Sequence, residues 1–268
     1  MSIEIGVILP TSTSDPEHPI LGDVRASARF AEELGLDSIW STDHLVASAP
    51  MLDSTVTLAT AAAVTDRIGL GYNVMLLALR PVAWAAKQIS TLQYLSGNRL
   101  VVGVGTGNPA HGDIGWRAAG VSFEDRGQRT DEALRVLPGL VTGRPTTLAD
   151  GLAVTLAPGS TMPPIMVGGN STRARRRAAA YADGWITIQA DPEQLTKDIA
   201  ELQEFVAQRD RAPLSVTVLA VGLSADVSEA AAQVSEYAAQ GVSRVITLPT
   251  GTDWQRGYEF AAKVRAAL

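Results

Sequence analysis

Asp43 and His44 are the side chains of this sequence best suited to proton transfer. They directly follow the apolar run Ser38–Ser41, within the stretch "STDHL". A histidine titrates near neutral pH and can serve as a base, an acid or a hydrogen-bond donor. The alternative is that His44 is a loop histidine without a catalytic role, and that Asp43 caps the next turn.

A second candidate site lies in "VGGNST", where an apolar run passes into a helical stretch. Gly168 and Gly169 leave the backbone bare, and Asn170 or Ser171 can cap a helix that begins near Thr172. Free N–H groups at a helix N-terminus bind phosphate well. The same residues are also compatible with a tight turn and a capped helix whose basic run is solvated.

The glycines of "LVVGVGTGNPAHGD" (100–113) raise the question of a dinucleotide-binding loop. That loop has the spacing Gly-x-Gly-x-x-Gly at the first strand of a fold and leads straight into a helix. Here Asn108 and Pro109 break the spacing, and we expect the next helix only near Glu124. The sequence excludes this motif. A strand end without side chains on one side remains, where either a flat ring or another part of the protein packs closely.

The composition is that of a globular protein and limits the classes of function. The chain has 268 residues, a formal net charge of -6 and no cysteine. The acidic balance argues against a nucleic-acid partner, and the missing cysteines exclude thiolate catalysis. No apolar run approaches the ~18 residues of a membrane span, and the first residues lack a signal-peptide pattern, so we expect a cytoplasmic protein. His18, His44 and His111 have no metal-ligand spacing, so we expect no metal site.

Short apolar runs alternate with helical stretches along the whole chain. Eight runs are apolar on consecutive residues, as strands covered on both faces are. They are Ile3–Leu9, Ser38–Ser41, Ile68–Val74, Arg99–Val104, Pro164–Val167, Trp185–Ile188, Ser215–Val221 and Ser243–Leu248. Eight such units predict a single (β/α)8 TIM barrel domain over 1–268, with an open doubly wound sheet as the alternative. In a barrel, chemistry lies at the C-terminal ends of the strands.

Helix signals divide the segments between these strands. We predict helices over 24–34, 54–64, 81–95, 124–137, 172–182, 192–209, 228–240 and 254–267. The helix that begins at Glu124 should stop or kink at Pro138, whose nitrogen cannot donate a hydrogen bond. An excursion from about Thr142 to Met162, rich in Gly, Pro and Thr, separates strands 4 and 5 and is long enough for a small hairpin.

Several stretches together resemble the luciferase-like oxidoreductases, (β/α)8 enzymes that use flavin mononucleotide (FMN) or the deazaflavin coenzyme F420. The segments that carry the resemblance are "AEELGLDSIWSTDHL", "TDRIGLGYNVMLLALRPVAWAAKQISTLQYLSGNRLVVGVGTGNP", "RGQRTDEALRVL" and "PPIMVGGNSTRARRRAAAYADGW". They cover about Ile3 to Ile188 and stand in the order and spacing of the family. Beyond them only the alternation of strands and helices continues.

The resemblance implies a role for each of these stretches. His44, with Asp43, matches the histidine beside the coenzyme ring, where it orients the ring or acts as acid or base. Asn73–Val74 matches a cis peptide bond whose bulge supports the back of the ring. The remaining coenzyme contacts are Gly105, Thr106, Gly107 and Asn108 around the ring, and Gly168, Gly169, Asn170 and Ser171 at the phosphate.

Two departures from the family concern the substrate. Sugar-phosphate dehydrogenases of the family have a glutamate where this chain has Asn108, and a tryptophan after the Asp-His pair that is absent here. We therefore expect a small, mostly uncharged organic substrate. His111 and Trp116, in the loop after strand 4, could contact it, although Trp116 could equally pin that loop to the barrel.

We thus expect hydride transfer between coenzyme F420 and a small organic molecule, in a homodimer as the resemblance implies. The alternatives are an FMN-dependent monooxygenase and a flavin-binding protein without turnover. A sugar-phosphate isomerase or aldolase would need a lysine or carboxylate at a strand end, but Lys87, Lys197 and Lys263 all fall in predicted helices. A metal-dependent hydrolase is disfavoured because the sequence shows no histidine cluster.

Overall fold

The computed structural model describes residues 3–12, 22–47, 49–188, 191–248 and 253–268. Eight parallel strands close into a barrel, in the order β1-β10-β9-β8-β7-β4-β3-β2. They are β1 (Glu4–Ile8), β2 (Ser38–Ser41), β3 (Gly69–Met75), β4 (Leu100–Val104), β7 (Ile165–Gly168), β8 (Gly184–Thr187), β9 (Ser215–Ala220) and β10 (Arg244–Thr247). The predicted TIM barrel is confirmed, and the doubly wound sheet is wrong.

Helices cover the outside of this barrel. They are α1 (Val24–Glu33), α2 (Ser54–Ala62), α3 (Val82–Leu95), α4 (Ile114–Ala118), α5 (Arg126–Val141), α6 (Thr172–Tyr181), α7 (Pro192–Ala207), α8 (Val227–Ala239) and α9 (Trp254–Ala266). Many of them begin at the carboxylate that the sequence offers as a cap. The side chains of Asp53, Asp191 and Asp226 accept hydrogen bonds from N–H groups in the first turns of α2, α7 and α8.

We predicted that α5 stops or kinks at Pro138. The helix does not stop there, because it continues to Val141. Pro138 has no N–H for the previous turn, but its carbonyl still accepts a hydrogen bond from Thr142, at 3.2 Å. Leu137, Leu140 and Val141 are all fully buried. The apolar surface that this last turn buries outweighs one missing hydrogen bond, so packing decides where the helix ends.

The connection after β4 is more structured than the sequence suggests. We expected no helix before Glu124, yet a 3-10 turn forms over Pro109–His111 and α4 over Ile114–Ala118. Both elements are too short to show helical periodicity in the sequence. The excursion between the fourth and fifth barrel strands does hold a hairpin, formed by β5 (Thr146–Thr147) and β6 (Ala153–Val154).

A fully buried tryptophan fills much of the barrel interior. Trp40 projects from β2 into a cluster with Ile8, Met166, Ile186, Leu219 and Ile246. Its ring needs space on both neighbouring strands, which glycines provide. A Cβ on Gly71 would overlap the ring, and a Cβ on Gly6 would lie 2.7 Å from Trp40 Nε1. The barrel interior around Trp40 is therefore a packed core.

We expect Gly71→Ala to lower the free energy of unfolding by about 1–3 kcal/mol, because the added methyl group overpacks a rigid ring. Urea unfolding monitored by tryptophan fluorescence measures the loss. Gly69→Ala, two residues earlier on the same strand, is the matched control. Its Cβ would lie 3.2 Å from the nearest atom, the carbonyl oxygen of Asp37. Equal stabilities for the two variants would contradict this account of the interior.

Candidate functional site

The predicted site residues come together on one rim of the barrel. All eight barrel strands are parallel, so their C-terminal ends lie on the same side. His44 follows β2, Asn73–Val74 belong to β3, and the segment 105–108 follows β4. The segment 168–171 ends β7 and leads into α6. Since β2, β3, β4 and β7 are successive neighbours in the barrel, the four stretches form one continuous arc.

The peptide bond between Asn73 and Val74 is cis, as the family resemblance implies. The pairing of β3 with β4 changes register between Tyr72 and Met75, so this bond lies in a bulge. Val74 is half-buried and packs on the interior cluster that contains Trp40. One part of the Val74 side chain faces the core while another part stays accessible at the rim.

The alternating glycines of β4 leave room for Val74. A Cβ on Gly105 would overlap the Val74 side chain, whereas a Cβ on Gly103 would first meet the Tyr72 carbonyl oxygen, at 2.2 Å, and then Val74 Cγ1, at 3.1 Å. Gly168, on β7, would bring its Cβ to 2.7 Å from the same methyl group. The interpretation that these glycines leave room for a ring themselves is therefore corrected. The glycines make room for the Val74 side chain. This side chain in turn provides an apolar surface beside the turn 168–171.

Asp43 is buried, and its carboxylate is fully occupied by protein partners. It accepts hydrogen bonds from Ser54 Oγ at 3.0 Å and from the Leu76 N–H at 2.9 Å. It also pairs with Arg80, whose Nη2 lies 3.0 Å from Asp43 Oδ2. These contacts tie the end of β2 to the start of α2 and to the backbone that follows the bulge. The geometry suits a positioning role for Asp43 better than the catalytic role expected from the sequence.

His44 is half-buried and faces a second imidazole. Its ring lies 4.7 Å from the ring of His111, centroid to centroid, in an edge-to-face arrangement. Burial lowers the pKa of His44 below its ordinary value, charge on His111 lowers this pKa further, and Asp43 raises it. The neutral, proton-accepting form of His44 is thus favoured at neutral pH.

The pocket beside His44 is narrow, with room for about one water molecule, and its surface is polar and apolar in nearly equal parts. It is lined by His44, Leu45, Val46, Leu76, Leu79, Gly107, Asn108, His111, Gly112, Gly115 and Trp116. Trp116 is buried against Leu76 and Leu79, and its ring lies 5.8 Å from that of Phe123. Trp116 therefore both pins the loop after β4 and forms a wall of the pocket, so the two alternatives from the sequence are compatible.

Thr106 and Asn108 occupy the end of β4 in different ways. Thr106 is half-buried, whereas Asn108 is exposed and caps the following 3-10 turn. Its Oδ1 accepts a hydrogen bond from the Ala110 N–H at 3.0 Å. Asn108 thus shapes the backbone that leads to His111 and, being an amide, brings no charge to the pocket.

The turn between β7 and α6 has the geometry of an anion site. Gly169 has a φ of +128°, which side chains rarely adopt, and Ser171 Oγ accepts a hydrogen bond from the Ala174 N–H. The N–H groups of the first helical turn have no acceptor within the helix itself. The backbone N–H groups of the residues before Ala174 therefore point toward the rim, where an anion can accept hydrogen bonds from them.

Neighbouring side chains hold this turn in place. Trp185 Nε1 donates to the Gly169 carbonyl at 2.8 Å, and Arg175 Nη1 donates to the Asn170 carbonyl at 2.7 Å. The Asn170 side chain accepts hydrogen bonds from Thr187 and from the Ile188 N–H. The side chain of Asn170 therefore serves the architecture of the turn, and the ligand-binding capacity rests on the backbone.

The basic run 173–177 contributes less positive charge to the turn than its sequence suggests. Arg175 is buried and pairs with Asp198 at 3.1 Å and with Glu201. Arg177 pairs with Asp131 on α5. These two guanidinium groups are neutralised by protein carboxylates, so the positive charge near the turn comes from the helix N-terminus and from the exposed Arg173 in the first turn of α6.

Sequence reasoning missed the residues that support the site from other elements. Arg80 lies 37 positions from Asp43, and Trp185 lies 16 positions from Gly169. No local spacing rule connects residues so far apart in the chain. The only signal was the position of Arg80 in the conspicuous stretch "LLALRP", which directly follows the bulged strand.

The residues that the structure describes contain neither a metal-binding cluster nor a membrane-spanning helix. In those residues, no group of three or more His, Asp or Glu side chains is arranged to hold a metal ion. No helix within the same ranges has the length and apolar character needed to cross a membrane. His18, named above among the histidines, lies outside the described residues.

The chain belongs to the luciferase-like monooxygenase family, whose model matches residues 3–266. It is 35% identical to an uncharacterised Mycobacterium tuberculosis protein over 178 residues, which are 64% of this chain and 60% of that relative. It is 28% identical over 211 residues to a 5,10-methylenetetrahydromethanopterin reductase of Methanolobus tindarius, covering 76% of this chain and 61% of the reductase. The chain thus matches about three fifths of the length of both relatives.

Solved structures share the same architecture. An F420-dependent secondary alcohol dehydrogenase, solved with an F420-acetone adduct, superposes with a TM-score of 0.83. The superposition covers 100% of this chain and 99% of the dehydrogenase, at 18% sequence identity. At that identity the likeness establishes the fold.

We expect Asp43→Asn to lower the free energy of unfolding by about 1–3 kcal/mol, since it leaves Arg80 without its charged partner and weakens buried hydrogen bonds. Chemical denaturation measures this effect. Asp53→Asn is the control, because Asp53 caps α2 at the surface and asparagine caps helices equally well. If Asp43→Asn proved as harmless as Asp53→Asn, the buried carboxylate would not hold this part of the rim together.

Proposed function

We propose that this protein is an oxidoreductase that transfers a hydride between coenzyme F420 and a small, uncharged organic substrate. One observation carries the proposal. The Val74 bulge packs against Gly105 of β4 and Gly168 of β7, which places an apolar surface directly beside the helix N-terminus of the Gly169 turn. A coenzyme with a flat ring system and a phosphate needs these two features side by side.

The residues of the rim fit such a coenzyme. Val74 would support one face of the ring, and the backbone N–H groups from Asn170 to Arg173 would bind the phosphate. When bound, the coenzyme would supply the hydride-transfer chemistry, and the protein would supply position and electrostatics. His44, held next to the bulge by its neighbour Asp43, would exchange a proton with the substrate. Leu76 and Trp116 would exclude water from the reacting groups.

The character of the pocket supports an uncharged substrate. None of its lining residues is a lysine, arginine, aspartate or glutamate, and its polar side chains are two imidazoles and the Asn108 amide. A charged substrate would lose its hydration there without gaining an ionic partner. A phosphorylated sugar therefore fits poorly, in agreement with the missing glutamate at position 108.

The main alternative is an FMN-dependent monooxygenase, for which the description of the family itself is the argument. The similarity to the methanogen reductase and to the F420-dependent dehydrogenase supports the deazaflavin coenzyme. A flavin-binding protein without turnover is the third possibility. Direct binding measurements separate these cases, because FMN and F420 share the ring system and the phosphate but differ at the reactive position and in the tail.

The decisive experiment is a fluorescence or calorimetric titration of the purified protein with oxidised F420, with FMN and with riboflavin. We expect F420 to bind most tightly, and riboflavin to bind weakly because it has no phosphate. Gly169→Ala should weaken F420 binding at least about tenfold, or about 1.4 kcal/mol, and leave riboflavin binding nearly unchanged. The reason is that its Cβ meets Ala174 and the backbone no longer tolerates a φ of +128°.

Gly35→Ala is the control for the effect of backbone strain alone. Gly35 also has a positive φ, of +74°, at the end of α1, and its Cβ would meet nothing within 4 Å. It should lower stability without changing coenzyme affinity. Tighter binding of FMN than of F420 would favour the monooxygenase, and binding of neither would refute the proposal.

We also propose that the protein forms a homodimer through α2 and α3. These adjacent helices expose the large apolar side chains of Val56, Trp84, Tyr94 and Leu95, each more than 60% accessible. Trp84 and Leu95 are eleven residues apart, so they lie on one face of α3. An isologous contact with a second copy would bury the same patch on both protomers.

We expect light scattering after size-exclusion chromatography to give twice the 28.2 kDa chain mass for the native protein, and the chain mass for Trp84→Glu. A charge at the centre of an apolar interface would be left without a partner on association. Leu152→Glu, at another exposed leucine in the hairpin turn, should stay dimeric. A monomeric native protein, or a dimer that survives Trp84→Glu, would refute this interface.

A further inference from the structure

We propose that His44 and His111 form a proton-transfer pair, in which His44 exchanges a proton with the substrate and His111 passes it between His44 and solvent. This inference rests on the proposed function and assigns His111 a part in the same reaction. It goes beyond the substrate contact that the sequence suggests for His111. The observation that carries it is the contact of two imidazoles across the mouth of one pocket.

The geometry of the pair suits a relay. The two ring centroids are 4.7 Å apart and the ring planes make an angle of 68°. At this centroid separation, one bridging water can carry a proton between the two rings. His44 is half-buried toward the bulge and His111 is exposed, so the pair connects the pocket to bulk water.

His44 and His111 are each positioned by contacts within their own loop at the pocket mouth. His44 is next to Asp43, which is fixed by Ser54, Leu76 and Arg80. His111 ends the 3-10 turn that Asn108 caps. The backbone N–H of His111 donates a hydrogen bond to the Asn108 carbonyl at 3.1 Å. Gly112 then reverses the chain with a φ of +68°. The contact thus joins two separately fixed backbones.

The charges around the pair favour movement of a single proton. Asp43 faces His44 but is already paired with Arg80, and Asp113 follows His111 by two residues. Burial and the proximity of His111 both lower the pKa of His44. Two cationic imidazoles in contact repel each other, so the pair favours holding a single proton. Among the residues that line this pocket, these two histidines are the titratable ones.

The complete step balances for a substrate that carries a hydroxyl group. The C–H bond breaks, and its electron pair leaves with the hydrogen as a hydride for the oxidised coenzyme. The O–H bond breaks, its electrons form the carbonyl π bond, and its proton passes to His44, then to His111, then to water. The substrate is oxidised by two electrons and the coenzyme is reduced by two. In the reverse direction His44 delivers a proton that it receives through His111.

The test measures the pair first without coenzyme. In NMR titrations of the imidazole signals, His111→Gln should raise the pKa of His44 toward its ordinary value, because a positive neighbour is removed. Asp113→Asn, in the same loop, is the matched control and should change the pKa of His44 less. A His44 titration that is identical in native protein and His111→Gln would overturn the pair.

The second measurement uses the loaded enzyme. His111→Gln should keep its F420 affinity but lower kcat about tenfold, as expected for a proton-transfer contribution, and added imidazole should restore part of the rate. For oxidation, the acid limb of the rate profile should move to higher pH, since His44 must be neutral to accept a proton. An unchanged kcat, or a loss of F420 affinity in His111→Gln, would overturn the relay. Failure of F420 to bind the native protein would instead refute the proposed function.

Discussion

The rim of this barrel depends on one buried carboxylate. A charged group away from water is costly unless it is paired and hydrogen-bonded, so the partners of Asp43 must converge on it. They are the Ser54 hydroxyl at the start of α2, and the Leu76 N–H and Arg80 guanidinium in the connection between β3 and α3. Their convergence fixes the end of β2, the path of the chain after the bulge of β3, and the position of His44.

The glycines of the barrel follow from the side chains that they accommodate. Gly6 and Gly71 flank the Trp40 ring, and Gly103, Gly105 and Gly168 surround Val74. A packed interior has no free space, so each large side chain on one strand requires a missing one on its neighbours. The tryptophan fills the centre of the barrel, and the valine offers an apolar surface at the rim. The packing of the barrel interior thus sets the geometry of the rim.

Local physics explains why most of the fold could be predicted. Strands covered on both faces give continuous apolar runs, so the eight barrel strands match their predictions within a few residues. Aspartates before helices give recognisable starts, as at Asp53 and Asp226. At Pro138, burial of the last helical turn decides the structure, and such burial leaves little trace in the local pattern. Ile114–Ala118 was missed because this element is too short to show helical periodicity.

The sequence by itself determined the order of elements, the rim where chemistry belongs and the family that these residues resemble. It also singled out His44 and the Gly169 turn through short local patterns, and the Asn73–Val74 bond through the family resemblance. Only the tertiary structure decided what these residues touch. Arg80 neutralises Asp43, Val74 fills the space of the glycines, and His111 meets His44. The physical reason is that barrel closure brings together side chains tens of residues apart, and no interaction within one segment encodes such contacts.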